Sequence, residues 1–138
     1  MLTQYSQDKF PPAPILSIQL SAPEESPQTE FLPALVDTGS DFTLVPQHWL
    51  LQIDAPYSRP ALVRGLWSSQ QEIDLFLVDI HLEKGILPGV EVVGVPERDS
   101  IFESEEIILG RNLLNLLFLL LEGPAQQTCV LERRPLRF

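Results

Sequence analysis

Apolar and polar residues alternate along short segments of the chain. Between positions 15 and 20, three aliphatic residues alternate with Ser17 and Gln19, so one side of the segment is apolar and the other is polar. A repeat of two residues is typical of a β-strand with one buried face. Further apolar runs, each predicted to be a strand, lie at 31–36, 42–45, 61–63, 73–82, 85–95, 107–109, 118–121 and 128–131. The pattern therefore indicates a mainly β protein.

Proline is spread along the whole chain and leaves room only for short helices. The 13 prolines are about twice the usual share of roughly 5%. Pro46 can open a single helical turn over 48–50. The segment 111–117 has no Pro, Gly or β-branched residue, which favours one helix of about two turns. We predict an all-β fold with one short helix and a closing hairpin around Gly123 and Pro124.

Two of the predicted strands flank a polar segment in the middle of the chain. The runs 61–63 and 73–82 enclose Gly65 to Gln70, which favours a hairpin with an exposed tip. Within 73–82, apolar residues occupy every second position up to Leu77 and then shift by one. This change predicts a β-bulge or a portion buried on both faces.

Length and composition indicate one compact domain. The chain has 138 residues, of which 44% are apolar and 20% are charged, and this composition is sufficient for a closed core. Prolines 11, 12 and 14 predict an extended N-terminal arm over 1–13. We expect a single domain over 14–138.

The charge and the apolar runs limit the partners of the chain. The formal net charge is -10, which would repel phosphates, so we expect no nucleic-acid partner. The N-terminal residues are polar, and the longest apolar run, 116–121, is far below the roughly 20 residues of a membrane span. Cys129 is the single cysteine and cannot form an intrachain disulfide. We therefore expect a cytoplasmic protein without membrane association.

No metal or cofactor site is indicated by the residue spacing. Asp37, Asp41 and Asp54 do not have the spacing of a calcium loop, and no histidine cluster stands near the cysteine. His48 and His81 are interpreted as packing or surface residues rather than catalysts or ligands. We expect the chain to need neither a metal nor a cofactor.

The clearest candidate for chemistry is an aspartate delivered by an apolar strand into a tight turn. Asp37 follows an apolar run and is succeeded by Thr38, Gly39 and Ser40, after which a second apolar run begins. These residue types alone are ordinary in a structural turn. Further along, the apolar run 107–109 leads into a glycine, an arginine and the predicted helix.

These two motifs together resemble the retropepsin-like aspartic proteases, and the resemblance extends over about 14–131. It implies a closed β-barrel of the acid-protease fold that functions as a homodimer. By this resemblance Asp37 is the catalytic residue, and the Thr38 hydroxyl contacts the partner chain's loop. Gly39 is a substrate backbone contact, and Ser40 supports the carboxylate. Asp41 and Arg111 correspond to a buried ion pair beneath the active site.

The resemblance implies an endopeptidase built from two copies of the chain, because the sequence has a single Asp-Thr-Gly motif. Two close carboxylates share one proton, so one acts as general base on water and the other as general acid. A chain of this length has no room for a second lobe, so a C2 homodimer would pair Asp37 with its mate. The substrate would be a polypeptide. A hydrogen bond from Ser40 would favour the ionised carboxylate, so we expect an acidic activity optimum.

The predicted flap departs from the family pattern. The hairpin tip has only Gly65, beside Leu66 and Trp67, where retroviral flaps are rich in glycine. Trp67 could close over substrate or could cap the domain. A catalytically silent retropepsin fold that serves in dimerisation or peptide binding is therefore the alternative function. A serine hydrolase using Ser40 and His48 is disfavoured, because no Gly-x-Ser-x-Gly elbow is present.

Overall fold

The computed structural model describes residues 1–64, 70–96 and 105–136. Its elements are β1 Leu2–Gln4, β2 Ile15–Ser21, β3 Leu32–Val36, β4 Thr43–Pro46, α1 Gln47–Gln52, β5 Tyr57–Arg64, β6 Gln70–Leu82, β7 Gly85–Val95, β8 Ile107–Leu109, α2 Arg111–Leu114, β9 Phe118–Glu122 and β10 Gln127–Leu131. The prediction of an all-β fold is confirmed, and each predicted strand overlaps an observed one. No helix of the described residues has the length and apolar character needed to cross a membrane.

Six strands close into a barrel. The larger sheet runs in the order β2-β3-β8-β4-β7-β6-β5, and an additional pairing of β2 with β6 closes it. Strand β5 lies outside the closed ring and forms a hairpin with β6. Two pairings in this sheet are parallel, β3 with β8 and β4 with β7. These parallel pairs bring distant parts of the sequence to a common edge.

The main core fills this barrel. The three alternating aliphatic residues of β2 are fully buried, as the period of two predicts. They pack with apolar residues of β3, β4, β6, β7, β8 and both helices. A second, smaller cluster joins the β5-β6-β7 face to the start of β4. Its members are Leu75, Val93 and Val95, with Phe42, Leu44, Ala61 and Ile73 packed against them.

The predicted irregularity in β6 is present. The register with β7 shifts between Val78 and Ile80, and the residues from Val78 to His81 are all buried. Asp79 at the shift accepts hydrogen bonds from the backbone N–H groups of Glu24, at 2.8 Å, and Gly89, at 2.8 Å. A buried carboxylate thus connects the turn at Glu24 and strand β7 to the bulge.

The two helices are short. Helix α1 begins directly after Pro46, where the sequence predicts a helical turn. Helix α2 ends at Leu114, three residues before the predicted end. The N–H groups of Leu116 and Leu117 bond to carbonyls three residues earlier, at 2.9 and 3.1 Å. This tighter winding ends the helix and leads into β9.

The chain ends form a separate three-stranded sheet, β1-β10-β9, which we call the terminal sheet. The first residues of the chain therefore take part in a sheet. Thr128, in β10, is fully buried, and its Oγ1 has no hydrogen-bond partner among the described residues. Met1, Leu119 and Val130 pack one face of this sheet against the core. The opposite face, called the outer face below, carries five apolar residues: Leu2, Phe118, Leu120, Cys129 and Leu131.

Candidate active site

Asp37 lies at the end of β3, where β3 runs parallel to β8. Val36 pairs with Leu109, and the N–H of Asp37 donates to the Leu109 carbonyl at 3.1 Å. Because parallel strands end at the same edge of a sheet, the Asp37 turn meets Gly110 and the start of α2 there. The structure therefore brings together the two motifs that are separated in the sequence.

The turn after β3 holds the Asp37 carboxylate by a backbone donor. The N–H of Gly39 donates to Asp37 Oδ1 at 2.9 Å. The Ser40 hydroxyl instead donates to the carbonyl of Phe42 at 2.7 Å. The expectation that Ser40 supports the carboxylate directly is therefore wrong in the single chain. Its hydroxyl instead stabilises the backbone at Phe42, directly before β4. The half-buried carboxylate keeps a surface open to the cleft.

Arg111 connects the second motif to this turn. Its Nη1 donates to the carbonyl of Thr38 at 2.7 Å, and its Nη2 pairs with Asp41 Oδ1. Its backbone N–H also donates to the Ser40 carbonyl at 2.8 Å. The predicted ion pair therefore forms, but it lies at the surface of the single chain. The side chains are 45% exposed for Arg111 and 75% exposed for Asp41.

The Thr38 side chain is exposed and the Gly39 backbone borders the cleft. The contact of Thr38 with a partner chain, and the contact of Gly39 with substrate, stay predictions. The segment containing Gly65, Leu66 and Trp67 lies outside the described residues. The strands on either side of it, β5 and β6, pair antiparallel as predicted.

A partly buried polar network behind the turn was not foreseen from the sequence. Asn112 Oδ1 accepts from the N–H of Thr43 at 3.0 Å and from its hydroxyl at 2.9 Å. The Thr43 Oγ1 in turn accepts from the N–H of Gly110 at 3.1 Å. Asn112 Nδ2 donates to the carbonyl of Glu91 at 2.7 Å. The one available signal was the presence of asparagines, Asn112 and Asn115, in the leucine-rich segment 111–117.

Gly110 is required by a close approach of the backbone. A Cβ at this position would lie 2.2 Å from the carbonyl oxygen of Phe42. The φ angle of Gly110 is -93°, which any residue adopts. Steric contact rather than backbone conformation thus dictates the glycine.

Asp37 opens into a cleft of about 290 Å³. One wall is the turn after β3 with the start of β4, and the other is the edge of the β5-β6 hairpin. The lining residues are Asp37, Gly39, Ser40, Asp41, Phe42, Leu44, Val63, Arg64, Gln71 and Val93. Outside the turn, four of the lining residues are aliphatic or aromatic, while Arg64 and Gln71 are polar. Such a mixed lining can contact both the side chains and the backbone of an extended peptide.

A charged cluster stands beneath the cleft on the sheet face that carries Val93. Glu91 accepts from Arg59 in two bonds, Nε to Oε2 at 2.9 Å and Nη2 to Oε1 at 3.2 Å. Ser58 donates to the same Oε2 at 2.9 Å. The Arg59 guanidinium, through its hydrogen bond, holds the pKa of Glu91 below its usual range, and Glu91 raises the pKa of Arg59.

The histidines are placed as structural residues. His81 is buried, with Nε2 2.7 Å from the Ser21 hydroxyl, far along β6 from the cleft. His48 packs its ring against Trp49 at a centroid distance of 4.8 Å. Among the residues that the structure describes, no group of three His, Cys, Asp or Glu is arranged to hold a metal ion.

Comparison with known proteins gives matches in structure rather than in sequence. No protein-family model and no curated protein sequence matches the chain. The retropepsin-like aspartic protease from Rickettsia conorii is 11% identical and superimposes with a TM-score of 0.53, covering 94% of this chain and 88% of that one.

Two other solved structures give weaker superpositions. The EIAV protease complexed with the inhibitor HBY-793 is 18% identical, with a TM-score of 0.46 over 82% of this chain and 92% of that one. The retroviral protease-like domain of Ddi1 from Leishmania major is 10% identical, with a TM-score of 0.49 over 86% and 90%. Taken with the closed barrel and the paired motifs at its edge, the Rickettsia superposition shows that this chain has the fold of the retropepsin-like aspartic proteases.

Proposed function

We propose that the chain is an aspartic endopeptidase that acts as a homodimer. The observation that carries the proposal is the position of Asp37: it directly follows a barrel strand, accepts from the Gly39 N–H at 2.9 Å, and opens into a cleft lined by both polar and apolar residues. A structural turn would not require a carboxylate at the mouth of such a cleft. The fold of the Rickettsia conorii protease gives additional support.

In the proposed mechanism, two copies of Asp37 face each other across the dimer axis and share one proton. The ionised carboxylate takes a proton from water, and the water oxygen attacks the peptide carbonyl carbon. The protonated carboxylate donates its proton to the carbonyl oxygen, which gives a gem-diol intermediate. The carboxylate that took the proton from water then donates it to the leaving nitrogen as the C–N bond breaks, and the other carboxylate takes a proton from one diol hydroxyl. The Gly39 N–H holds the Asp37 carboxylate in place, and Arg111 fixes the turn through the Thr38 carbonyl.

The outer face of the terminal sheet is the surface we propose for the second copy. Leu2, Cys129 and Leu120 lie opposite one another across the three strands, and Leu131 lies opposite Phe118. Leu2, Phe118 and Leu120 are 63%, 47% and 41% exposed in the single chain. A continuous apolar row of this kind is uncommon on a monomer surface. A second copy would bury it and would also supply the missing aspartate.

Cleavage of a diverse peptide library tests the enzymatic activity. The native chain, at concentrations that permit dimers, should produce cuts that disappear in Asp37→Asn, with a loss of at least about a thousandfold. Asp74→Asn, an exposed site on β6, makes the same charge change away from the cleft and should keep activity. Products would be read by mass spectrometry from acidic to neutral pH. We expect the rate to be highest at acidic pH, because the proposed dyad has to hold one proton.

A different outcome would favour the alternative function. If the native chain forms dimers but cuts no peptide at any pH, the retropepsin fold serves in dimerisation or peptide binding without turnover. Cleavage that persists equally in Asp37→Asn would contradict the assignment of the catalytic residue. A pH–rate profile that peaks above neutrality would contradict the acidic optimum.

Sedimentation equilibrium tests the proposed interface. Leu120→Asp should weaken dimerisation, since it puts a charge into the apolar row. Leu51→Asp changes the charge equally at an exposed helix position and should leave the dimer intact. Equal effects of the two substitutions would show that the second copy binds elsewhere.

A further inference from the structure

We infer that Glu91 is a positioning residue for the cleft, holding both of its walls through one side chain and one carbonyl. This inference rests on the proposed function for its kinetic consequence, while its structural basis is independent of that function. Glu91 is far from Asp37 in sequence and contributes no atom to the cleft lining.

The first wall is held by the Glu91 carboxylate. Strand β6 lies between β7 and β5, so Glu91 and Arg59 meet over the face of β6. The two parallel bonds from Arg59 and the third from Ser58 fix the start of β5 to β7. A bidentate guanidinium–carboxylate pair restrains orientation as well as distance.

The contact of Arg59 with Glu91 lies near the start of β5, and the end of the same strand forms the cleft wall. Arg59, Ala61 and Val63 alternate along β5 and therefore share a face. Ala61 packs on the smaller apolar cluster, and Val63 lines the cleft. The β5 register with β6 is irregular between Tyr57 and Arg59. Strand β5 starts irregularly and, within the described ranges, has no strand on its outer side. It therefore needs another restraint, and Glu91 supplies it.

The second wall is held by the Glu91 backbone. Its carbonyl accepts from Asn112 Nδ2 at 2.7 Å, and Asn112 Oδ1 binds Thr43. The Thr43 hydroxyl then accepts from the N–H of Gly110. Gly110 is followed by Arg111, whose side chain donates to the Thr38 carbonyl in the Asp37 turn. A continuous hydrogen-bonded path thus joins the β5 wall, through Glu91, to the turn that carries the catalytic carboxylate.

The side-chain half of this arrangement can be removed without disturbing the backbone half. Glu91→Gln keeps the shape and the bond to Ser58 but loses the charged pair, and Glu91→Ala loses both. Each should raise KM by about five- to tenfold while kcat changes less than about twofold, because the cleft wall shifts and the carboxylate does not. Glu72→Gln, on the exposed opposite face of β6, removes the same charge and should change neither constant.

Rescue distinguishes positioning from a general loss of stability. The exchange Arg59→Glu with Glu91→Arg restores the pair in reverse, so KM should return toward the native value. Arg59→Lys keeps the charge but loses the two-bond fork, and we expect it to behave like Glu91→Gln. Folding of each variant is checked by circular dichroism. Unchanged KM in folded Glu91→Ala, or a parallel fall in kcat and kcat/KM, would overturn the inference.

Amide hydrogen exchange separates this inference from the proposed function. Exchange of the amides of residues 61–64 should accelerate in Glu91→Ala and Glu91→Gln and not in Glu72→Gln. If the native chain has no peptidase activity, the proposed function fails, yet the exchange measurement still decides the role of Glu91. If exchange at 61–64 is the same in all variants, the inference fails even for an active enzyme.

Discussion

Gly110 shows how a single missing side chain shapes the candidate active site. The carbonyl of Phe42 occupies the space that a Cβ would need, so the start of β4 can pass directly behind the turn that holds Asp37. The same glycine donates its N–H to Thr43. Sterics and hydrogen bonding therefore both fix the second motif against the first.

Gly110→Ala should destabilise the chain strongly. Because the clash is with backbone rather than a flexible side chain, β4 or α2 has to move, at a cost of about 3 kcal/mol or more. Gly123→Ala is the matched control, since a Cβ there meets nothing within 4 Å. Urea unfolding measures both variants, and a Gly110→Ala chain as stable as Gly123→Ala would contradict the steric argument.

Single residues were predictable from the sequence where a motif fixed their chemistry. The pairing of Asp41 with Arg111 belongs to this group, as does the place of Asp37 directly after an apolar strand. The catalytic role of Asp37 stays a prediction. The Ser40 hydroxyl was assigned to the wrong acceptor, because a short side chain in a turn can reach several backbone groups and the sequence does not choose among them. Asn112 was missed since its partners, Thr43 and Glu91, are distant in sequence.

Among the elements, the strands were predictable because their period of two is local. Strand β2 and the bulge in β6 follow directly from the order of apolar residues. The end of α2 was not predictable in the same way: residues up to 117 favour a helix by propensity, but the chain must tighten to enter β9. Tertiary context overrode a weak local preference.

The anchoring of β5 by Glu91 predicts a limit at low pH. Arg59 is the charged group that faces Glu91. The neighbours of Glu91 on the other elements are neutral: Leu75 and Leu77 on β6, and Asn112 on α2. Pairing lowers the pKa of Glu91 from its ordinary 4.5. The contribution of the Glu91–Arg59 pair to the stability of the fold is therefore complete above about pH 4.5. It is lost as the pH falls through the lowered pKa of Glu91.

Thermal unfolding from pH 7 down to strongly acidic pH measures this limit. The native chain should lose stability below about pH 4.5 more steeply than Glu91→Gln, which has no proton to gain there. Glu72→Gln, which removes an exposed carboxylate, should follow the native curve. Identical curves for the native chain and Glu91→Gln would contradict the prediction.

At the scale of the whole molecule, charge opposes the assembly that the proposed function requires. Each chain carries a formal net charge of -10, so a homodimer concentrates acidic groups. The apolar outer face of the terminal sheet has to overcome this repulsion. The closure of the barrel between β2 and β6 was expected only from the family resemblance. Strand pairing between distant segments leaves no local pattern from which closure could be predicted.

Salt should therefore strengthen the dimer. Raising NaCl from about 20 mM to about 300 mM shortens the screening length severalfold, and we expect the dimer dissociation constant to fall by roughly tenfold. Sedimentation equilibrium at neutral pH measures it. A dimer that weakens with salt would show that attractive ion pairs, rather than the apolar face, hold the copies together.

The buried hydroxyl of Thr128 destabilises the fold, so replacing it with an apolar group of the same shape should raise the free energy of unfolding. Its Oγ1 is removed from water without a hydrogen-bond partner among the described residues, so Thr128→Val should add about 1 kcal/mol and raise Tm by about 4 °C. Calorimetry of the substituted chain would show this, and a lower Tm would mean that the hydroxyl is satisfied after all. Because Thr128 lies in the terminal sheet, the gain should add to distant losses. Active-site variants that lose a similar amount of stability could then be purified and assayed in a chain that also carries Thr128→Val.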